Sequence, residues 1–326
     1  MYAVEISHLA KSFGETHAVI DVSFAVERGE IFGLLGPNGA GKTTTIRAML
    51  DVFQPDRGAV SVLGGPMDER KKDRIGYMPE ERGLYQDVAL ERCLVYLATL
   101  KGLSRARARR RVGAYLERLD LAAHRARKVG ELSKGMQQKA QIVAAIAHGP
   151  ELLIIDEPFS GLDPVNTRLV KALLRDLCDQ GTTILMSTHQ MHQVEALCDR
   201  ILLIDGGRNV LYGALDEIRR RHAGGAIRVQ AAGRLPSLPG TTRANGGRRH
   251  NDGAVRLTLH GDTQPQDVLE RLVAARVPIE RFEIALPSLD EIFLQVVAGA
   301  QGTARAHGAF GMGRKEERDA QAVDDR

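Results

Sequence analysis

Three glycines set within eight residues, Gly36-Pro37-Asn38-Gly39-Ala40-Gly41-Lys42-Thr43, constrain this chain more tightly than any other stretch. The preceding Glu30-Ile31-Phe32-Gly33-Leu34-Leu35 reads as a buried strand, and Thr44-Thr45-Ile46-Arg47-Ala48-Met49-Leu50 as the opening of a helix. A strand, a G-x-x-x-x-G-K-[ST] loop and a helix, in that order, form the context of a phosphate-binding loop. The glycines let successive backbone N–H groups turn toward phosphate oxygens, and the helix N-terminus adds partial positive charge. Lys42 brings a mobile cation and Thr43 a hydroxyl that can ligate Mg²⁺. The candidate nucleotide-binding residues are therefore Gly36, Pro37, Asn38, Gly39, Ala40, Gly41, Lys42, Thr43 and Thr44.

Composition narrows the class without naming it. A length of 326 residues suggests two domains, and 43% hydrophobic content suffices for an ordinary core. With 45 basic against 41 acidic residues the formal charge is only +4, a small imbalance that is not a nucleic-acid signature. Aromatic residues make up 4% and tryptophan is absent, which argues against a base-stacking platform. No uninterrupted apolar stretch approaches the ~18–20 residues of a membrane helix, and Glu5 interrupts the first apolar stretch, so the expected location is the cytosol. Cys93, Cys178 and Cys198 lie far apart and are odd in number, so they are expected as reduced packing residues rather than disulfide partners or zinc ligands.

Strand-like alternation runs through residues 1–30, with Gly14 and Gly29 marking turns, and predicts an antiparallel lead-in. From about 87 to 128 the pattern becomes helical, with Leu90, Leu94, Leu97 and Leu100 at helical spacing and a basic run from Arg105 to Arg111. That run is expected as a solvated helix face, with contact to lipid headgroups or a membrane partner as the alternative. An α/β rhythm follows: helix Gln137–Ala147, strand Leu152–Ile155, helix Val165–Gln180 stopped by Gly181, and strand Thr183–Met186. Ile201–Ile204, Gly206-Gly207 and Val210–Tyr212 read as a closing hairpin, which ends a first domain near residue 221. Beyond it, Gly224-Gly225 and the stretch 240–253 break the pattern. Strands at Ile227–Gln230 and Val255–His260 and a helix around Val268–Ala275 then suggest a small α+β domain to about residue 300. Pro287–Leu294 reads as a helix capped by Ser288 with Glu291 as its capping-box partner, and 301–326 as a disordered tail.

Downstream of the loop, Leu152-Leu153-Ile154-Ile155-Asp156-Glu157-Pro158 is an apolar strand ending in two carboxylates. In that position Asp156 can hold Mg²⁺ through its water shell, and Glu157 can orient or deprotonate an attacking water.

With Leu132-Ser133-Lys134-Gly135-Met136-Gln137 ahead of that strand, the chain resembles the nucleotide-binding subunit of an ABC transporter. The resemblance implies that Ser133 and Gly135 face the γ-phosphate held by the Gly36–Thr43 loop of a second subunit, so that two chains make two sites. Lys134 and Met136 depart from the commoner glycine and glutamine. Ser160-Gly161-Leu162-Asp163 resembles the family's dimer-contact loop, and His189 occupies the place of its switch histidine, a γ-phosphate contact counted with Glu157 and Lys42 as catalytic. Phe13 matches the aromatic that stacks on adenine, and Glu80 stands where the family has glutamine, able to join Thr43 and Asp156 as a Mg²⁺ ligand while adding negative charge. Glu80–Tyr85 and the appended Pro287–Phe293 resemble a subgroup of sodium- or drug-efflux ATPases.

The fold so implied is α/β: an ABC cassette of the phosphate-loop NTPase class with a mostly parallel sheet, antiparallel N-terminal strands and a helical subdomain at about 87–150. The small α+β domain follows at 222–300. The implied cofactors are ATP and Mg²⁺. The implied partners are a multi-pass transmembrane permease and a second ATPase subunit, identical or related, with no nucleic acid. The chain is then expected on the inner face of the cell membrane, driving export. A soluble ABC ATPase serving as a scaffold without a permease, and one acting on nucleic acid or ribosomes, remain as alternatives.

Overall fold

The computed structural model describes residues 1–81, 83–223, 225–232, 235–243 and 254–296. Two compact units divide the chain, Met1–Leu215 and the residues from Asp216 onward.

In the first unit the long strands β1 (Tyr2–Phe13) and β2 (Thr16–Glu27) pair antiparallel, turning at Gly14 with φ 58°. Five buried residues make β3 (Ile31–Leu35), which leads through the glycine loop into α1 (Lys42–Met49). β4 (Arg57–Val62) adds antiparallel to β1, and the short α2 (Glu69–Lys72) precedes β5 (Ile75–Met78). Three helices follow, α3 (Leu90–Leu100), α4 (Arg105–Arg118) and α5 (Lys134–Ile146). The chain then re-enters the sheet through β6 (Leu152–Asp156), α6 (Pro164–Asp179), β7 (Thr183–Thr188), α7 (Met191–Glu195), β8 (Arg200–Asp205) and β9 (Arg208–Ala214).

The strand order is β4-β1-β2-β9-β8-β3-β7-β6-β5. β5, β6, β7, β3 and β8 are parallel neighbours, as their near-continuous Val/Ile/Leu runs and buried faces require. β9 turns back antiparallel on β8, and a single parallel bridge, Asp21↔Arg208, joins β2 to β9. The core packs Phe32, Leu34, Ile46, Met49, Leu152, Ile154, Leu185 and Leu202 together, each burial contributing roughly 1.5–3 kcal/mol. Crossovers place the ends of β3, β6 and β7 side by side, with Leu35 opposite Thr188 and Asp156 opposite Ser187. In an open α/β sheet, the carboxyl ends of adjacent parallel strands are where ligands bind.

The helical segment differs from its predicted face. α3 buries Leu90, Cys93, Leu94 and Ala98, whereas Leu97 is half-buried and Leu100 is 59% exposed. The stripe therefore lies one step round the helix from the leucine pattern, because α3 must meet both α4 and α5. In α4 only Ala108, Val112 and Leu116 turn inward, leaving Arg105, Arg107, Arg109 and Arg110 in solvent as expected for a charged face. Cys93, Cys178 and Cys198 are free and buried. Burial raises the pKa of all three thiols, which keeps them in the unreactive thiol form. No helix among the described residues is long and apolar enough to cross a membrane.

α8 (Leu215–Arg221) runs into the second unit, where Arg219 Nε donates to the Pro287 carbonyl at 3.0 Å. The chain divides after Leu215, within α8 and six residues before the expected 221. Strands β10 (Ala226–Ala231), β11 (Thr241–Arg243), β12 (Val255–Leu259) and β13 (Ile279–Ile284) form an antiparallel sheet in the order β11-β12-β10-β13. α9 (Pro265–Ala274) covers one face, burying Val268 and Leu272 on Ile227, Val229 and Leu257. The predicted capping box is present: the Ser288 N–H donates to Glu291 Oε2 at 3.0 Å and the Glu291 N–H to Ser288 Oγ at 3.2 Å. Gly224, residues 244–253 of the predicted break and the expected tail at 301–326 lie outside the described residues.

Candidate functional site

The glycine loop is shaped by contacts that admit no side chain. A Cβ on Gly36, at φ 150°, would stand 2.2 Å from the Ile204 carbonyl oxygen, and one on Gly41, at φ 106°, 2.6 Å from that of Ala18. β8 and β2 thus press the loop from two sides. Gly41 is also the N-cap of α1 and supplies no side-chain cap, so the N–H groups of the first helical turn remain for an anion. Lys42 is 7% exposed and its Nζ donates to the carbonyls of Gly36 at 2.8 Å and Pro37 at 3.0 Å.

Across the sheet edge, Thr43 Oγ1 donates to Asp156 Oδ2 at 3.0 Å, and the Ser187 hydroxyl donates to Asp156 Oδ1. Asp156 is 1% exposed, so this polar group is buried fully partnered. Glu157 follows with φ 52°, a conformation rare for a side chain of its size, and is 5% exposed. Thr188 Oγ1 donates to its Oε2 at 2.9 Å, and the His189 N–H to its Oε1 at 2.9 Å. His189 Nδ1 lies 2.7 Å from the same Oε1, with the imidazole half exposed. From α5, Gln138 Nε2 donates to the carbonyls of Glu157 and Pro158, at 3.0 and 3.2 Å, which fixes the turn after β6.

Burial pushes the Lys42 ammonium below the usual lysine range, and the carboxylates of Glu157, Asp156 and Glu80 pull it back toward the charged form. One cation thus faces three carboxylates. An incoming polyphosphate meets that net negative balance, which a divalent cation carried with it would offset. The donor set suits Mg²⁺, since a threonine hydroxyl and a carboxylate are hard oxygen ligands on a cradle sized for phosphate. No group of three or more His, Cys, Asp or Glu side chains poised for a metal occurs among the described residues, so exposed Glu80 is not part of a preformed carboxylate cage.

Among the described residues, Ser133, Gly135, Asp163 and Phe13 share no hydrogen bond with this cluster. Ser133 caps α5, accepting from the Met136 N–H at 3.3 Å, and is exposed. Gly135 packs against the next loop, where a Cβ would stand 3.2 Å from the Gly161 carbonyl oxygen. Asp163 caps α6 through the N–H groups of Val165 and Asn166, so the predicted dimer-contact loop ends in a capped turn, with its Gly161 beside Gly135 of α5. Phe13, 50% exposed, ends β1 at the same hairpin end that supplies Ala18 and Val19 to Gly41, with Phe53 edge-on at 5.3 Å. Ser187, Thr188 and Gln138 were not singled out from sequence. Two hydroxyls closing the otherwise apolar run Thr183–Met186 were the available signal for the first pair.

A phosphate loop after β3, an acid pair after β6 and a polar end on β7 define a phosphate-loop nucleoside triphosphatase. Residues 19–160 match the family model described as ABC transporter, and residues 213–297 match that of the ATP-binding protein DrrA1-3-like, C-terminal domain. The ABC transporter ATP-binding protein YhaQ of Bacillus subtilis is 39% identical, over 90% of this chain and 97% of its own length. Nod factor export ATP-binding protein I of Rhizobium sp. (strain N33) is 33% identical, over 90% and 96% respectively. A solved structure of an ATP-binding subunit of an ABC transporter, 36% identical, superposes with a TM-score of 0.63 over 67% of this chain and 92% of that one. The chain belongs to the ATP-binding subunits of ABC transporters, and it is an ATPase with the cassette fold followed by a small antiparallel domain.

Proposed function

We propose that this ATPase drives a separate membrane permease of the export type, by closing and reopening as a dimer around two ATP molecules. In each site the Gly36–Thr43 loop and α1 hold the phosphates, with Lys42 neutralising the β- and γ-phosphate oxygens. Thr43 and Asp156, with Glu80 beyond them, would hold Mg²⁺, which when bound neutralises charge on the phosphates. Glu157 orients the attacking water and takes its proton at the carboxylate. His189, held against the Glu157 carboxylate, contacts the γ-phosphate, and Phe13 stacks on the adenine.

The observation that supports this reading is that, among the described residues, Ser133 and Gly135 share no hydrogen bond with the cluster at the strand ends. Lys42, Thr43, Asp156, Glu157 and His189 are gathered around three strand ends, whereas Ser133 and Gly135 stand at the N-terminus of α5 beside Gly161. A second cassette related by a two-fold axis supplies the missing half to each site. The partner is a second copy of this chain or a related subunit that presents the same face, and the chemistry is common to both.

Support for a permease comes from a cavity of about 500 Å³ where α3 meets the segment after β5, lined by Tyr85, Val88, Arg92, Cys93 and Tyr96. Tyr85 and Tyr96 are about half exposed and their rings lie 6.1 Å apart, aromatic surface of the kind that anchors a protein partner. Export rather than import follows the relatives whose names specify Nod factor export. Attachment to such a permease would place the chain on the cytoplasmic face of the membrane. Affinity purification of the Glu157→Gln chain from gently solubilised native membranes with ATP and Mg²⁺ tests this. Recovery of a multi-pass protein supports the motor, and recovery of soluble partners alone supports a scaffold.

A further inference from the structure

We infer, in a step that rests on the permease reading, that the groove between α3 and α4 receives an acidic segment of the permease, whose carboxylates pair with Arg92 and Arg105. Arg92, Tyr96 and Leu100 follow one another at every fourth position of α3, and all three are exposed. Arg105 and Arg109, one turn apart on α4, form the facing wall of a cavity of about 430 Å³ that Glu91, Arg92, Val95 and Tyr96 also line. Arg92 and Tyr96 line the neighbouring cavity of about 500 Å³ as well, so the basic groove and the aromatic one make a continuous surface.

The carboxylates that line the two cavities already have cations of their own. Glu91 Oε1 lies 3.4 Å from Arg109 Nε, and Asp87 Oδ1 lies 3.9 Å from Lys128 Nζ. The guanidinium groups of Arg92 and Arg105 form no hydrogen bond or ion pair with any described residue, and they are the surplus charge. α4 opens with Arg105 and Arg107 and has no acidic residue in its first turn, so cations stand at the positive pole of the helix, where an anion is favoured. A wholly apolar partner would strip water from two guanidinium groups and return nothing, whereas a carboxylate returns bidentate, charge-assisted hydrogen bonds. The exposed Tyr85, Tyr96 and Leu100 beside these charges favour a protein segment over a lipid headgroup, because tyrosine and arginine together are the residues that dominate protein interfaces. Arg107 and Arg110 are exposed on α4 but line neither cavity.

Arg105→Lys keeps the charge and adds a primary amine, which a carbodiimide joins directly to a carboxylate in contact with it. The full chain carrying this change is produced in native membranes, treated with carbodiimide, purified after gentle solubilisation with ATP and Mg²⁺, and mapped by mass spectrometry. A cross-link from position 105 to an Asp or Glu of the co-purifying multi-pass protein is expected. Arg92→Glu combined with Arg105→Glu should lower recovery of that protein about tenfold or more, while Arg107→Glu combined with Arg110→Glu leaves it unchanged. Recovery of the multi-pass protein without the cross-link, and in equal amount from both double variants, overturns the inference and leaves the permease reading in place. Recovery of no multi-pass protein with the parent chain overturns both. Flotation of the purified parent with phosphatidylcholine vesicles containing phosphatidylserine, lost in Arg92→Glu with Arg105→Glu while permease recovery is unchanged, assigns the arginines to lipid and also overturns the inference.

Discussion

His189 Nδ1 lies 2.7 Å from Oε1 of Glu157, an oxygen that also accepts the His189 main-chain N–H at 2.9 Å. The second carboxylate oxygen accepts the Thr188 hydroxyl at 2.9 Å. Glu157 is therefore oriented from β7, the strand that neighbours its own, rather than from the turn on which it sits. Thr188→Val keeps the shape of the side chain and removes that donor. The expected result is a fall in kcat of about tenfold with ATP affinity changed by less than about twofold, read from steady-state turnover and nucleotide titration. Unchanged kcat would remove Thr188 from the account.

Gly36 and Gly14 both have positive φ but differ in what surrounds them. A Cβ at Gly36 would meet the Ile204 carbonyl oxygen at 2.2 Å, whereas one at Gly14 meets nothing within 4 Å. Gly14→Ala should cost only the left-handed backbone, about 1 kcal/mol, and leave ATP binding intact. Gly36→Ala has to push the loop off β8 and is expected to weaken ATP binding by about a hundredfold or more. Fluorescent nucleotide titration with thermal melts of both variants separates the two effects.

His148 is mostly buried, and burial, with Lys101 and Arg111 nearby, lowers its pKa to about 4. The unfolded chain therefore binds a proton that the folded chain refuses between pH 6.5 and about 4, and stability falls as pH drops through that window. Allowing for partial exposure, the loss reaches on the order of 2 kcal/mol near pH 4. Urea melts at several pH values should show a shallower decline for His148→Gln than for the parent, since carboxylates such as Glu151 contribute equally to both. Parallel pH profiles would contradict the assignment.

Much of this site was legible because its chemistry is local in sequence. The glycine loop, Asp156-Glu157 and Ser133 are each fixed by a few consecutive residues whose backbone geometry follows from their types. Thr188, Ser187 and Gln138 were illegible for the opposite reason: their roles exist only once β7 lies beside β6 and α5 reaches the turn after Glu157. The second unit repeats the contrast. Its α9 and the Ser288–Glu291 box could be read from spacing, but β13 carries Glu280, Arg281 and Glu283 with no buried residue, so its strand character comes from pairing with β10.

The central claim is that Glu157 carries out the water chemistry in a site completed by a second cassette. The direct measurement is single-turnover ATP hydrolysis by Glu157→Gln with Mg²⁺, alongside the molecular mass of the ATP-bound protein in solution. The account predicts ATP affinity near the parent value, hydrolysis slowed by about a hundredfold or more, and a stable dimer that the parent forms only transiently. Hydrolysis at the parent rate, or a monomer with ATP bound, would contradict it.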